Sequence, residues 1–251
     1  MPKVSVIMPA YNSSKTIGAT IDSVLKQTYG DYEIIVIDDG SKDDTAAIVE
    51  GKAASDDRIK FYKNEKNIGV SDTRNRAISL SSGEWIAFLD SDDLWREDKL
   101  ERQLKLASES NADIIYSSYA MIDIDGNKKC NDFIVDEHTN FKKMLVRNEI
   151  GCLTVLVKRS AIADFKFMGE FAHEDYVLWL SLLEDGYTAI GDKKVLAEYR
   201  VYPGTRSYNK FRAAKNRWLV YRKKLKMPLF KSCVTMLKYV LVTLKKYKAA
   251  K

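Results

Sequence analysis

The 251-residue sequence predicts an α/β fold built on a mixed, mainly parallel sheet, on three observations. Short apolar runs alternate with segments of helical period from residue 4 to residue 118. The early runs lack polar alternation, as strands covered on both faces require. Polar or acidic turns follow one run after another, and in such sheets ligands bind at the carboxyl ends of strands. Composition agrees. A chain 45% hydrophobic and 30% charged is an ordinary globular protein, not a disordered chain, a collagen or a small disulfide scaffold.

Taken in order, Val4 to Met8 is a buried strand ended by Pro9. Ile17, Ile21, Val24 and Leu25 place a helix within Lys15 to Gln27. Glu33 to Ile37 is a second strand, Asp43 to Ala54 a helix, and Ile59 to Tyr62 a third strand. Val70 to Leu80 is helical, Trp85 to Leu89 a fourth strand, Lys99 to Ser108 a helix, and Asp113 to Ser118 a fifth strand. Met121 to Ile124 with the Asp125-Gly126-Asn127 turn signal reads as a hairpin. Leu153 to Val157 is a further strand, Tyr176 to Leu183 a helix, and Val195 to Val201 a last strand. No internal repeat, low-complexity segment or spanning apolar stretch is present. Met1-Pro2-Lys3 leads straight into a strand rather than a secretory signal.

The turns carry the chemistry. Asp90-Ser91-Asp92-Asp93 follows the apolar strand at residue 89. Carboxylates two apart can share a hard cation such as Mg²⁺ or Mn²⁺, which also binds substrate phosphates. Asp92 or Asp93 could instead cap the next helix. Asp38-Asp39-Gly40-Ser41 ends the second strand, with Gly40 allowing a tight turn and Ser41 or Asp43 available as a cap. Capping accounts for one of these acids but not both. Glu174 and Asp175 open the helical run at residue 176, where acids favour a helix N-terminus or serve as a general base.

These residues resemble family 2 glycosyltransferases. The resemblance rests on Pro9-Ala10-Tyr11-Asn12, Asp38-Asp39-Gly40-Ser41, Asn67-Ile68-Gly69 with Arg74-Asn75, Asp90-Ser91-Asp92-Asp93, and Glu174-Asp175 with Trp179. All stand in the family's order and cover roughly residues 3–205. The resemblance implies the GT-A fold, a Rossmann-like nucleotide-sugar-binding fold, and an inverting mechanism with Mn²⁺ or Mg²⁺. By the same resemblance, Pro9, Ala10 and Tyr11 pack against the nucleobase, and Asp39 reads the uracil imide. Arg74 lies near the uridine or diphosphate, and Asp90 and Asp92 serve donor and metal, with Asp92 the direct ligand. Asp175 is the catalytic base and Glu174 its neighbour. Trp179, Arg200, Tyr202 and Arg206 are candidates for the acceptor or diphosphate. Family members often carry a His in the loop after the last strand, and Tyr202 stands there in this sequence.

Charge divides the chain. From Arg206 to Lys251 there are 15 Lys or Arg and no acid, so residues 1–205 hold the other 26 bases and all 35 acids. The expected division is a glycosyltransferase domain over 1–205 and a basic helical extension over 206–251. Lys224, Lys231, Lys238 and Lys245 recur every seven residues and drift only about 20° per step on a helix. Phe230, Leu237 and Leu244, with Val234, Leu241, Cys233 and Val240 beside them, form an apolar stripe largely opposite, and Pro228 suits the first turn. Such a helix can lie in an anionic membrane interface. Alternatively its apolar stripe packs on the body or on a second copy, as in a homodimer. Nucleic acid is disfavoured by the acidic body.

With the resemblance, this implies a UDP-sugar donor and a saccharide acceptor carried on polyprenyl diphosphate. It also implies a place in O-antigen, capsule or exopolysaccharide synthesis, on the cytoplasmic face of a bacterial plasma membrane. The competing function is a catalytically inactive sugar-nucleotide-binding or scaffold protein of the same fold. A dinucleotide oxidoreductase is disfavoured, because no Gly-x-Gly-x-x-Gly follows the first strand. Cys130, Cys152 and Cys233 have no metal-type spacing and read as reduced structural thiols.

Overall fold

The computed structural model describes residues 1–202 and 210–248, without the side chains of 210–212 and 243–248. The first half alternates as expected: β1 (Val4–Ala10), α1 (Ile17–Leu25), β2 (Tyr32–Asp38), α2 (Thr45–Ala53), β3 (Ile59–Lys63), α3 (Val70–Leu80) and β4 (Trp85–Phe88). There follow β5 (Leu94–Trp95), α4 (Lys99–Ser110), β6 (Ile114–Ile122), α5 (Phe141–Val146), β7 (Leu156–Lys158) and α6 (Arg159–Ile162). The chain continues through α7 (Glu174–Glu184), β8 (Ala189–Arg200), α8 (Lys210–Leu219) and α9 (Leu229–Lys248).

One eight-stranded sheet has the order β3-β2-β1-β4-β7-β6-β8-β5. Its β3-β2-β1-β4 half is wholly parallel. Short β7 runs antiparallel between β4 and β6, and β8 returns parallel to β6. The unbroken apolar runs have their cause here. Alternate residues feed two cores on opposite faces of the sheet. Ile7, Ile35, Ile37, Ile86 and Phe88 enter one, and Val6, Met8, Ile34, Val36 and Ala87 the other.

Several boundaries differ from the sequence reading. Pro9 does not end β1: the strand continues to Ala10 beside β2, while pairing with β4 stops at Ile7. With one neighbour missing there, a residue without an N–H is tolerated. The expected strand over 153–157 is first a 3₁₀ turn, Cys152–Thr154, and only then β7. β6 runs on to Ile122, so the hairpin grows from its end, with Gly126 at φ +89° and bridges Ile122–Lys128 and Tyr119–Phe133. β8 begins six residues before the expected Val195, its register slipping on β6 near Ser117 and Ser118.

The basic segment is seated on the body. Val220, Tyr221 and Met227 join the core that holds Met144, Leu145 and Tyr176. The Tyr221 hydroxyl donates to the Leu145 carbonyl. Among the described residues, no helix is long and apolar enough to cross a membrane.

Candidate active site

The carboxyl ends of β1, β2 and β4 open on one edge, and the N-termini of α3 and α7 meet them there. Asp38 and Asp39 end β2, and Gly40 turns the chain at φ +76°. The two acids divide the work. Asp38 accepts the Ser41 N–H and closes the turn. Asp39, 4% exposed, accepts from Asn64 Nδ2 at 2.7 Å and from the N–H groups of Ile68 and Gly69 at 2.9 Å each. Those bonds fasten the loop that starts α3. An ionised carboxylate offers about four lone-pair sites, so one remains for a ligand. Pro9 and Ala10 lie buried in β1, whereas Tyr11, at 49% exposed, presents its ring beyond the strand.

One turn further along α3, Arg74 ties the acids together. It is 2% exposed, with Nη2 donating to Asp90 at 2.5 Å and Nη1 to Glu174 at 2.8 Å. Burial alone would disfavour its charge, but Asp90 and Glu174 outweigh that and hold its pKa well above the usual arginine value. Two acids 84 positions apart in the chain thus share one guanidinium. The bland reading of Glu174 as a helix-starting residue misses this pair. Arg74 also lies over the Phe167 ring, 5.2 Å from its centroid.

The Asp-x-Asp turn follows β4. Asp90 is half-buried, while Asp93 is 1% exposed and accepts the Arg200 N–H at 2.8 Å. Asp93 therefore anchors the end of β8 rather than capping a helix. Arg200 also donates from Nη1 to the Asp92 carbonyl at 2.6 Å, and the Tyr202 hydroxyl donates to Asp92 Oδ2 at 3.0 Å. Burial and the neighbouring Asp90 charge raise the Asp92 carboxyl above its ordinary range. Burial, with Asp92 beside it, pushes the Tyr202 phenol up to about 12, so the phenol remains a donor.

This donor set fits a hard divalent cation in one particular way. Two like-charged carboxylates on one turn are relieved by a cation. Among the described residues, however, no group of three His, Cys, Asp or Glu is assembled as a cage. Mg²⁺-type sites are commonly completed by substrate phosphates.

Asp175 sits in the first turn of α7, beside the Arg74–Glu174 pair. Glu174 is buried, but Asp175 keeps part of its surface open. Burial and the Glu174 charge raise the Asp175 carboxyl to about 6, against the pull of Arg74. A carboxylate poised there is a suitable proton acceptor near neutral pH.

Two expectations change. Trp179 does not line the acceptor or diphosphate region. It is 0% exposed in the core, 6.0 Å from the Phe88 ring and 6.4 Å from Phe167. The reason is that α7 is buried nearly all round, from Tyr176 through Leu180, and Trp179 packs against Phe167, the ring under Arg74. Arg206 lies outside the described residues. Sequence reasoning also passed over Cys152. This buried thiol abuts Arg74 and the acids, and burial pushes its pKa well above the usual thiol value. No spacing signal marked it. Asn64, which bridges Asp39 and Thr73, was visible only as part of a polar loop.

A half-parallel sheet, with an Asp-x-Asp turn and a helix-borne carboxylate gathered at its carboxyl edge, defines a glycosyltransferase of the GT-A fold. The chain belongs to glycosyl transferase family 2, whose model matches residues 5–160. It is 39% identical over 246 residues to the Escherichia coli UDP-Glc:alpha-D-GlcNAc-diphosphoundecaprenol beta-1,3-glucosyltransferase WfgD, covering 97% of this chain and 94% of that protein. In fold it is similar to S. aureus TarS 1-349 solved with UDP-GlcNAc, at TM-score 0.73 and 21% identity over 95% of this chain and 71% of the other. It is likewise similar to a Pyrobaculum calidifontis mannosyltransferase solved with GDP-Man and Mn²⁺, at TM-score 0.71 and 19% identity over 96% and 70%.

Proposed function

We propose that this glycosyltransferase is metal-dependent and inverting. In this reading it moves a sugar from a UDP-sugar to a saccharide carried on polyprenyl diphosphate, in bacterial surface-polysaccharide synthesis. The observation that carries the reading is the Arg74 clamp, which joins the Asp-x-Asp turn to the α7 N-terminus bearing Asp175. WfgD, alike over nearly the whole chain, supports the donor and acceptor classes and makes UDP-glucose the first donor to test. The enzyme would work at the inner face of the plasma membrane, where such acceptors are carried. Residues 1–205 would form the catalytic unit and 206–251 its basic extension.

Tyr11 would lie against the nucleobase, and the free lone pair of Asp39 would accept a base N–H. Asp90 and Asp92 would hold the cation, which when bound supplies Lewis-acid stabilisation of the departing diphosphate. Asp175 takes the proton of the acceptor hydroxyl as that oxygen attacks the anomeric carbon from the side opposite the diphosphate. The bond from that carbon to the diphosphate oxygen breaks, its electron pair leaves with the diphosphate, and the configuration inverts. Arg74 keeps Glu174 and Asp90 in place, and Arg200 adds positive charge beside the Asp-x-Asp turn. Holding donor and acceptor in line removes much of the entropic barrier. A single base and a diphosphate leaving group separate this chemistry from glycoside hydrolysis, where two carboxylates flank the bond.

A screen of nucleotide sugars by thermal shift with Mn²⁺, followed by turnover on a GlcNAc-diphosphate lipid acceptor, tests the reading. A ligand that binds the native state raises its melting temperature. Binding without turnover on any saccharide acceptor would favour the inactive-scaffold alternative. In the same assay, Asp92→Ala is expected to lose at least about tenfold in Mn²⁺-dependent donor affinity, the lower end of what even an outer partner of a metal is worth. Unchanged calorimetric affinity with Mn²⁺ would remove Asp92 from that role.

The rate should also depend on pH with a defined sign. The base acts only when ionised, and the Asp175 carboxyl is raised to about 6. Thus kcat/KM, which reports the free enzyme, is expected to climb about tenfold per pH unit below that value and to level off above it. A profile flat between pH 5 and pH 7 would contradict the assignment.

A further inference from the structure

The last helix is seated the opposite way round from an ordinary amphipathic surface helix. Its inward face is rich in hydroxyls. Ser232 is 0% exposed and Thr235 9%, and Met236 and Tyr239 are half-buried. The burial is tolerated because each hydroxyl bonds back along its own helix, Ser232 to the Pro228 carbonyl at 3.0 Å and Thr235 to that of Lys231 at 2.8 Å. Arg217 of α8 locks the seat. Its guanidinium lies 4.0 Å from the Tyr176 ring centroid on α7 and 4.5 Å from that of Tyr239 on α9. It also donates to the Met144 and Leu145 carbonyls.

The apolar face points away from the protein. Phe230 is 81% exposed, Leu237 61%, Leu229 60% and Leu241 51%, with Val234 and Val240 exposed beside them. At about 100° per residue these positions fill an arc of roughly 140°. Lys231 and Lys238 are exposed along one margin of this arc rather than opposite it as expected, and Arg222, Lys223 and Lys226 are exposed just before the helix. A soluble helix ordinarily turns such a face inward, and a contiguous exposed apolar patch marks an interaction surface. The alternative that this stripe packs on the body is overturned by that geometry.

We propose that this outward face docks the protein on an anionic lipid bilayer, with the apolar arc among the acyl chains and the basic residues at the headgroups. Charge complementarity selects this occupant. The segment from Arg206 onward has 15 basic residues and no acid. A symmetric dimer would bring this face against its own copy, like charge against like. A nucleic acid would satisfy the lysines but leave the apolar arc in water. An apolar arc edged by lysines suits an interfacial helix, and α9 is too short of apolar length to span. Because Arg217 clamps α9 to α7, the docked helix would hold the catalytic body at a set orientation. The surface rests on the proposed function only in that a lipid-borne acceptor gives the docking its use, and binding is read without any sugar.

The test is vesicle flotation of the full chain with phosphatidylglycerol–phosphatidylethanolamine vesicles and with pure phosphatidylcholine vesicles. At low salt at least about tenfold more protein is expected on the anionic vesicles, weakening as salt screens the charges. The combined variant Phe230→Ser, Leu237→Ser, Leu241→Ser is expected to lose at least about tenfold of that binding. Its melting temperature and its transfer to a water-soluble acceptor should stay unchanged, because all three side chains are exposed. Wild-type protein left unbound by anionic vesicles, or a variant that binds as well as wild type, overturns the proposal. So does a lipid-free dimer that the variant converts to monomer, which would make the face a self-interface. Vesicle binding without transferase activity would count against the proposed function and leave the docking surface standing.

Discussion

Asp175→Asn is expected to lower kcat by about 10² to 10⁴-fold, the usual worth of a positioned general base, while donor affinity stays near wild type. The amide keeps the shape of the carboxyl but cannot take the acceptor's proton. Stability separates this effect from misfolding. Burial and the Glu174 charge raise the Asp175 pKa to about 6, so the ionised carboxylate at neutral pH is a cost to the fold. In sign, a carboxyl whose folded pKa exceeds its unfolded one stabilises most at low pH and loses that contribution as pH rises through about 6. The neutral amide should therefore melt no lower than wild type at pH 7. Single-turnover kinetics, donor calorimetry and a melting curve on the same preparation decide the matter. Near-wild-type turnover would transfer the role to another group.

Arg74→Met is expected to cost about 3–5 kcal/mol in stability at pH 7, the range for removing one partner of a buried ion pair. The methionine fills much of the space but takes from Glu174, 4% exposed, its 2.8 Å bond to the guanidinium. It also frees Asp90 from its 2.5 Å bond. Turnover should fall as well, since both acids frame the reaction. The signature is charge: adding Glu174→Gln to Arg74→Met, which removes one of the two buried acids, should recover part of the loss. Urea unfolding of both variants measures it. A double variant no more stable than Arg74→Met would mean that Arg74 acts through packing on Phe167 rather than through charge.

How far these residues could be read beforehand depends on how local their causes are. The parallel half of the sheet was legible because Val4–Met8, Glu33–Ile37 and Trp85–Leu89 carry unbroken apolar runs that only two-sided burial explains. Strand order then put Asp38, Asp39, Asp90 and Asp92 at one edge, since ligand-facing loops leave the carboxyl ends of parallel strands. The gathering of Glu174 with Asp90 is of another kind. It depends on a guanidinium contributed by α3, and no spacing within either acidic segment encodes that pairing.

By itself the sequence determined the α/β sheet, the acidic turns, the family likeness and the two-faced character of the basic tail. Each follows from short-range periodicity or from residues adjacent in the chain. The tertiary structure alone decided that Trp179 lies in the core, that Tyr202 holds Asp92, and that α9 turns its leucines outward and its hydroxyls inward. Periodicity reveals that a helix has two faces. Which face is buried is set by the surface it meets, and here Tyr176 and Arg217 meet Tyr239 while Ser232 and Thr235 satisfy their own hydroxyls.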